Sequence, residues 1–380
     1  MSVTSVAEKV RLRLWGKAAG RCEYEGCNAL LWLDSLTQAE FNVAYLAHII
    51  ADRPDGPRGD PVLSEQLKAD PSNLMLLCDA HHRLIDKEDV AGHSVERLRN
   101  MKIRHEDRIT LLGAVGPNKQ SHVLLYGANI GVHSSNLSLR KAAEAMVPEW
   151  YPAEPRALEL GLANSSFTDQ DPVFWELEST HLRRLVAQQI RPRLAQGSVH
   201  HLSIFALAPQ PLLALLWYLL SDIPAAEVYQ LHREPPNWKW QTNSKHAEFV
   251  IEEPETITGE PALIVSLSAT VIRSRVEAVL RSPTLWKISH PSPHNDILKT
   301  KQQASAFRVA ARRLMDRIKA RHGQKATVHV FPAMPVALAV ELGRIIMPKA
   351  DLPLRIYDEN RSTRGFSVAI ELNPSMLLAR

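Results

Sequence analysis

The chain has 380 residues, 45% of them hydrophobic and 23% charged, which fits roughly two or three soluble domains with a sizeable core. A net charge of +4 excludes coating of nucleic acid by bulk charge and leaves room only for a local basic patch. The longest apolar run, Leu212 to Leu220, falls far short of the ~20 residues a membrane helix needs, and Met1 to Ser5 lacks a basic-then-apolar leader, so the expected location is cytoplasmic, without membrane contact.

Val3 to Ala19 reads as a basic helix, with Val6, Val10, Leu14 and Ala18 at spacings of four and Gly20 as its stop. A turn follows that carries Cys22 and Cys27. Val43 to Ile50 reads as an apolar strand holding His48 near its end. The stretch from Ala51 to Pro61 is a turn-rich loop with Arg53 and Arg58. After Pro71-Ser72-Asn73 comes a second strand, Leu74 to Leu77, and then Cys78-Asp79-Ala80-His81-His82-Arg83-Leu84-Ile85-Asp86, which opens a helix. Cys78 and His81 lie three apart, and His82 and Asp86 four apart, so each pair shares a face. The only three cysteines of the chain are Cys22, Cys27 and Cys78. With His81 they form two ligand pairs suited to a tetrahedral structural zinc site; buried free thiols are the plainer alternative. His93 to Leu112 reads as an amphipathic helix, and Gly113 to Asn118 ends it, which sets the expected domains at 1–115 and 116–380.

Strand with His48, loop, Asn73, strand, helix with His82: this order resembles the ββα-metal core of HNH endonucleases over roughly residues 10–108. The resemblance implies an α+β nuclease braced by zinc. His48 would be the general base, since imidazole titrates near neutral pH. Asn73 would orient it. His82, with Asp86, would hold a magnesium or other divalent ion against the scissile phosphate. Many family members carry a further ligand just before the base, where this chain has Ala47. Arg53, Arg58 and Arg83 are candidate phosphate contacts.

From residue 119 short apolar runs alternate with helical stretches. Strands are expected at His122–Tyr126, His200–Leu207, Ala262–Leu267, Lys287–Ser289 and Thr327–Phe331. Helices are expected at Asp171–Ala195, Pro211–Leu220, Arg273–Arg281, Asp296–Arg321 and Pro335–Ile346. This alternation predicts a largely parallel sheet covered on both faces. His201 to Leu213 resembles Val328 to Leu338: each is a strand, a proline-bearing turn and an apolar helix, with another strand about twenty residues on. Two Rossmann-like halves about a pseudo-twofold axis follow, without the glycine fingerprint of dinucleotide cofactors.

An HNH nuclease followed by such a pair resembles the HNH–SAVED effectors of CBASS anti-phage systems, in which SAVED is two fused CARF-like units. The resemblance implies a cyclic di- or oligonucleotide activator, assembly into a homo-oligomer (dimer or tetramer), and degradation of double-stranded DNA. Trp238, Trp240 and Trp286 are candidate base-stacking side chains, with Lys239 or Lys287 for phosphate, and Tyr229 is a further candidate for the ligand site. The turns at Pro209 to Pro211 and Pro332 to Pro335 and the polar loops Asn164-Ser165-Ser166 and Asp358-Glu359-Asn360 are further candidate linings. Two rival readings fit the same residues: a restriction-type HNH nuclease with a DNA-recognition domain, and a zinc-braced DNA-binding sensor without catalysis.

Overall fold

The computed structural model describes residues 5–131, 133, 135–162, 165–171, 173–220, 225–242, 249–360 and 365–373. The chain divides into two compact units, Met1–Gly116 and Pro117–Arg380.

In the first unit, α1 (Glu8–Ala18) buries Leu14 and Ala18 and stops where Ala19 enters the left-handed region, φ 51°, followed by Gly20 at φ 62°. Strand β1 (Tyr45–His48) pairs antiparallel with β2 (Leu74–Leu77), Tyr45 opposite Leu77 and His48 opposite Leu74. Between them lie α2 (Leu63–Leu67) and a 3₁₀ turn, Pro71–Asn73, whose Asp70 cap accepts from the Ser72 amide. All four residues of β2 are buried, because this strand is covered on both faces. Helix α3 (Asp79–Arg83) starts directly after β2 and runs into a π turn, Leu84–Glu88. Helix α4 (Val95–Gly113) begins at Ser94, whose hydroxyl accepts from the Arg97 amide. The core is small: Leu14, Leu31, Ala47, β2, Ile85 and Leu98 are its centre. So small a core gains from a metal staple.

The second unit holds two sheets. The first half contains β3 (Gln120–Gly127), α5 (Leu139–Met146), β4 (Tyr151–Pro152), β5 (Leu158–Glu159) and α6 (Phe174–Leu185), which passes through a π turn into α7 (Arg191–Ala195). Then come β6 (Leu202–Leu207), α8 (Gln210–Leu219) and β7 (Ala226–Tyr229). These strands pair in parallel in the order β4-β3-β6-β7, with β5 also on β3. The second half contains β8 (Val250–Glu252), β9 (Pro261–Ser266), α9 (Arg273–Glu277), β10 (Thr284–Ser289), α10 (Lys301–His322), β11 (Val328–Ala333), α11 (Val336–Ile345), β12 (Leu354–Asn360) and β13 (Gly365–Leu372). Its order is β13-β12-β11-β9-β10-β8, parallel inside and antiparallel at both edges.

The repeated modules β6-α8 and β11-α11 meet through their helices. Residues Pro211 to Leu219 of α8 are all buried, as expected of a helix apolar on every side. A side chain at Gly343 of α11 would overlap the carbonyl oxygen of Ala214, so the two backbones touch where only glycine fits. Two glutamines tie the halves together: Gln210 Oε1 accepts from the Met334 amide and Gln230 Oε1 from the Ala337 amide, both at 3.1 Å. The helix expected from Asp296 starts at Lys301 instead, because Thr300 and Gln303 form a reciprocal cap.

Candidate functional site

His48 ends β1 and is 7% exposed. Its Nε2 lies 2.9 Å from the carbonyl oxygen of Lys68. A carbonyl only accepts, so Nε2 carries a proton, and in the neutral ring it is Nδ1 that has the lone pair. The ring borders the adjoining cleft. Asn73 does not touch this ring. Its Oδ1 accepts from the Ile50 amide and its Nδ2 donates to the Ile50 carbonyl, both at 2.8 Å, with a longer bond to the Leu67 carbonyl at 3.3 Å. It holds the backbone two residues after His48 and the residue before the Lys68 acceptor. Asn73 was expected to bond the ring and orient it; its side chain instead bonds main chain on either side of it.

His82 and Asp86 share a face of the α3 segment, with His82 Nε2 3.3 Å from Asp86 Oδ2. The other carboxylate oxygen accepts from Arg58 Nη2 at 2.6 Å. Burial works against the charged carboxylate, but the bonds from His82 and Arg58 outweigh it and hold the Asp86 pKa below its usual value. Tyr45 stacks on the His82 ring at 4.9 Å, and its hydroxyl donates to Asp79. His48, His82 and Asp86 line one cleft of about 340 Å³, with Asp52, Arg53, Asp55 and Lys87. Two donors converge there, an imidazole and a carboxylate, a mixed set that suits a divalent ion with open positions. Ala47 is fully buried in the apolar core and supplies no donor.

Arg58 is not a phosphate contact. Its guanidinium, 6% exposed, donates to the carbonyls of Ile49 (2.8 Å) and Ile85 (2.6 Å) besides Asp86, and clamps the loop onto the segment after α3. Its backbone is in the left-handed region, φ 58°. The sequence marks none of this, because three of its partners are main-chain groups, the His48 carbonyl among them at 3.3 Å.

Cys22, Cys27, Cys78 and His81 each bring one donor atom to within 4.8 Å of the others. Cys78 Sγ is 3.1 Å and Cys22 Sγ 3.8 Å from His81 Nδ1. Donors around tetrahedral zinc stand about 3.5–3.8 Å apart, so three sulfurs and one imidazole fit the ion. The turn of Cys22 is stitched to β2: the Glu23 amide donates to the Leu76 carbonyl at 2.9 Å, and the Leu76 amide to Glu23 Oε2 at 2.6 Å. Burial pushes the Cys22 thiol far up, with the neighbouring cysteines adding to it, so a thiolate there requires a cation. Tyr24 stacks on His81 at 4.0 Å and fixes the ring.

A family model described as SMODS-associated and fused to various effectors sensor domain, SAVED, matches residues 182–372, half of the chain. The chain belongs to the SAVED family. Comparison with curated proteins gives no match. Among solved structures the chain is similar to the Acinetobacter baumannii Cap4 SAVED/CARF-domain containing receptor with the cyclic trinucleotide 2'3'3'-cAAA: 14% identity over 76% of this chain and 61% of that one, TM-score 0.41. A second structure of the Acinetobacter baumannii Cap4 receptor gives 15% identity over 83% and 66%, TM-score 0.40. The Moraxella osloensis Cap4 receptor gives 13% over 73% and 59%, TM-score 0.38. The chain spans less than two thirds of each of these three. No helix among the described residues is long and apolar enough to cross a membrane.

Within the SAVED region the candidate stacking residues are dispersed. Trp286 is 0% exposed, with its Nε1 3.2 Å from His322 Nε2; it packs the core and offers no face to a base, contrary to its expected role. Tyr229 stacks on Phe205 at 4.3 Å, and Trp238 meets the same ring edge-on at 5.4 Å; both are buried and already used. Lys287 pairs with Glu252 at 2.7 Å. Trp240 is partly buried, and its indole N–H has no acceptor. Of the polar loop, Asn164 lies outside the described residues, and the Ser165 hydroxyl is buried without a partner.

Sequence reasoning missed Glu178, although a signal was there. Phe174, Glu178 and Leu182 of α6 recur at spacings of four and are all buried, so an acid sits on the apolar stripe. Burial pushes its carboxyl up to about 7.

Proposed function

We propose that this chain is a cyclic-oligonucleotide-gated, metal-dependent endonuclease that degrades double-stranded DNA as a CBASS-type anti-phage effector. In this reading residues 1–115 are an HNH nuclease and residues 116–380 the SAVED-type sensor. The observation that carries it is the shared cleft: His48, with Nδ1 left as a lone-pair acceptor, lines the same 340 Å³ space as His82 and Asp86. His48 Nδ1 takes a proton from the attacking water as the water oxygen bonds to phosphorus and the bond to the leaving sugar oxygen breaks, that oxygen taking its proton from solvent water. A divalent cation held by His82 and Asp86 would supply Lewis acidity at that phosphate. Arg53 and Lys87, on the wall of the cleft, attract the DNA backbone. The sensor binds the cyclic nucleotide, and ligand-driven assembly into a dimer or tetramer turns cleavage on. The membership in a sensor family described as fused to effectors supports this division of labour.

The test is plasmid cleavage with magnesium or manganese and a panel of cyclic di- and trinucleotides. One ligand activates the wild type, and His48→Ala abolishes cutting while leaving ligand binding intact. Cutting without any ligand would favour a restriction-type nuclease instead. The non-catalytic alternative, a zinc-braced DNA-binding sensor, has one observation in its favour: both Asp86 oxygens are already engaged, by Arg58 and His82. Full toxicity of His48→Ala in cells would support that alternative.

A further inference from the structure

Leu46 and His48 of β1 line the cleft that holds His82 and Asp86, and they also line a second hollow, of about 280 Å³. Side chains alternate along a strand, so these two project from one face of β1, and the two hollows meet there. Other walls of the second hollow come from Arg11 and Trp15, four apart on α1, and from Asn42, just before β1.

The two hollows differ in charge. Asp52, Asp55 and Asp86 lie along the cleft, offset in part by Arg53 and Lys87. The wall of the second hollow has, among the described residues, no carboxylate, and Arg11 is its one permanent charge. Lys17 of the same helix pairs with Glu106 at 2.9 Å, whereas Arg11 is exposed and forms no ion pair with any described residue. Asn42 Oδ1 accepts from the Ala44 amide at 2.9 Å, which leaves the two N–H bonds of its Nδ2 to a ligand or to water. A guanidinium and a primary amide, with no acid opposing them, are donors that take phosphate oxygens. A DNA strand with its scissile phosphate at His48 has further phosphates on both sides of it. Toward the cleft, Arg53 and Lys87 are at hand; toward the second hollow, the cation is Arg11.

We propose that the second hollow is a subsite for the DNA strand flanking the cut, and that Arg11 holds the phosphate next to the scissile one. This subsite rests on the nuclease reading above. Arg11 meets the substrate but not the reacting atoms, and so positions the strand across His48. Lys9 and Arg13 provide an internal control. They lie two residues to either side of Arg11, about 200° around the helix, and line neither hollow. Arg13→Ala therefore removes the same charge from the opposite face.

The test uses the full chain with the panel of cyclic di- and trinucleotides present. Binding of a short fluorescent DNA duplex, without magnesium or manganese, is followed by anisotropy across a range of salt. Arg11→Ala lowers the slope of log affinity against log salt by about 0.9, as expected for one lost phosphate contact, while Arg13→Ala leaves it unchanged and Arg11→Lys restores it. Magnesium is then added to duplexes that carry one neutral methylphosphonate at each phosphate flanking a mapped cut site. On one side of the cut the modification slows the wild type about tenfold, whereas Arg11→Ala cleaves the modified and unmodified duplexes at one, lower rate. Melting temperatures of the variants match the wild type, because Arg11 and Arg13 are exposed. An unchanged slope in Arg11→Ala, an equal fall in Arg13→Ala, or a methylphosphonate penalty that survives in Arg11→Ala overturns the subsite and leaves the nuclease reading standing. A wild type that neither binds nor cuts DNA overturns the nuclease reading, and the subsite with it.

Discussion

Asn73→Ala tests the claim that the base is aimed through main chain. The substitution strips acceptors or donors from three backbone groups: the Ile50 amide and carbonyl, each at 2.8 Å, and the Leu67 carbonyl at 3.3 Å. Asn73 is 1% exposed and Ile50 3%, so water does not replace what is lost. Each buried group left unpaired costs about 1–3 kcal/mol, and two of the three bonds are short, so the loss is about 3 kcal/mol. For a unit of this size that lowers the melting temperature by roughly 10 °C in scanning calorimetry of the full chain. Cleavage falls further than stability alone explains. With Ile50 and Leu67 released, His48 loses the frame that aligns it with the attacking water, and a misplacement of ~1 Å can cost ~10²-fold. The loss appears in kcat measured well below the new melting point, with KM for DNA unchanged, because Asn73 meets no substrate. Asn73→Asp keeps the acceptor for the Ile50 amide but sets a second oxygen against the Ile50 carbonyl, and fares no better than alanine. A variant with wild-type melting and wild-type kcat would refute the bracing role. A raised KM at constant kcat would show that Asn73 binds DNA directly.

Three further outcomes follow from other contacts. Cys78→Ser, or a strong zinc chelator, removes one zinc per chain by atomic emission and abolishes cleavage, since the 3₁₀ turn leading into β2 holds Asn73 and α3 holds His82 beside the zinc ligand His81, whereas ligand binding by the SAVED region persists. Gly343→Ala lowers the melting temperature; a helix-interior glycine elsewhere would gain up to ~1 kcal/mol from alanine, but here the new methyl overlaps the Ala214 carbonyl and overpacking costs ~1–3 kcal/mol. His201 is held neutral by burial, aided by Lys119, Lys301 and Arg344, with its pKa lowered to about 4. The unfolded chain therefore binds the extra proton first, so stability is full above about pH 6.5 and declines as pH falls toward 4. Urea melts at pH 7 and pH 5 check this, and His201→Gln flattens the difference.

What the sequence disclosed and what it concealed differ in kind. Cys22, Cys27, Cys78 and His81 were legible because ligand chemistry restricts both residue type and spacing, and the four donors do converge. His48 and His82 were legible as letters on a strand end and a helix. The purpose of Arg58 and the contacts of Asn73 were not, because their partners are carbonyls and amides, which every residue carries and no letter advertises. Strands β8 and β13 went unread for another reason: they are edge strands, β8 exposed at all three positions, and half-solvated edges carry little apolar signal. Trp286 and Lys287 teach the opposite lesson, since the signal was present and misapplied. In Thr284-Leu285-Trp286-Lys287-Ile288, alternation sets Trp286 with Thr284 and Ile288 on the buried face and Lys287 on the other. Neighbours on a strand cannot both serve one ligand from one side. The same alternation sends Ala47 into the core and turns His48 toward the cleft, so the position just before the base is committed to packing. Among the described residues no third histidine, cysteine or carboxylate donor gathers with His82 and Asp86, so the remaining positions of a cation there fall to water and the phosphate.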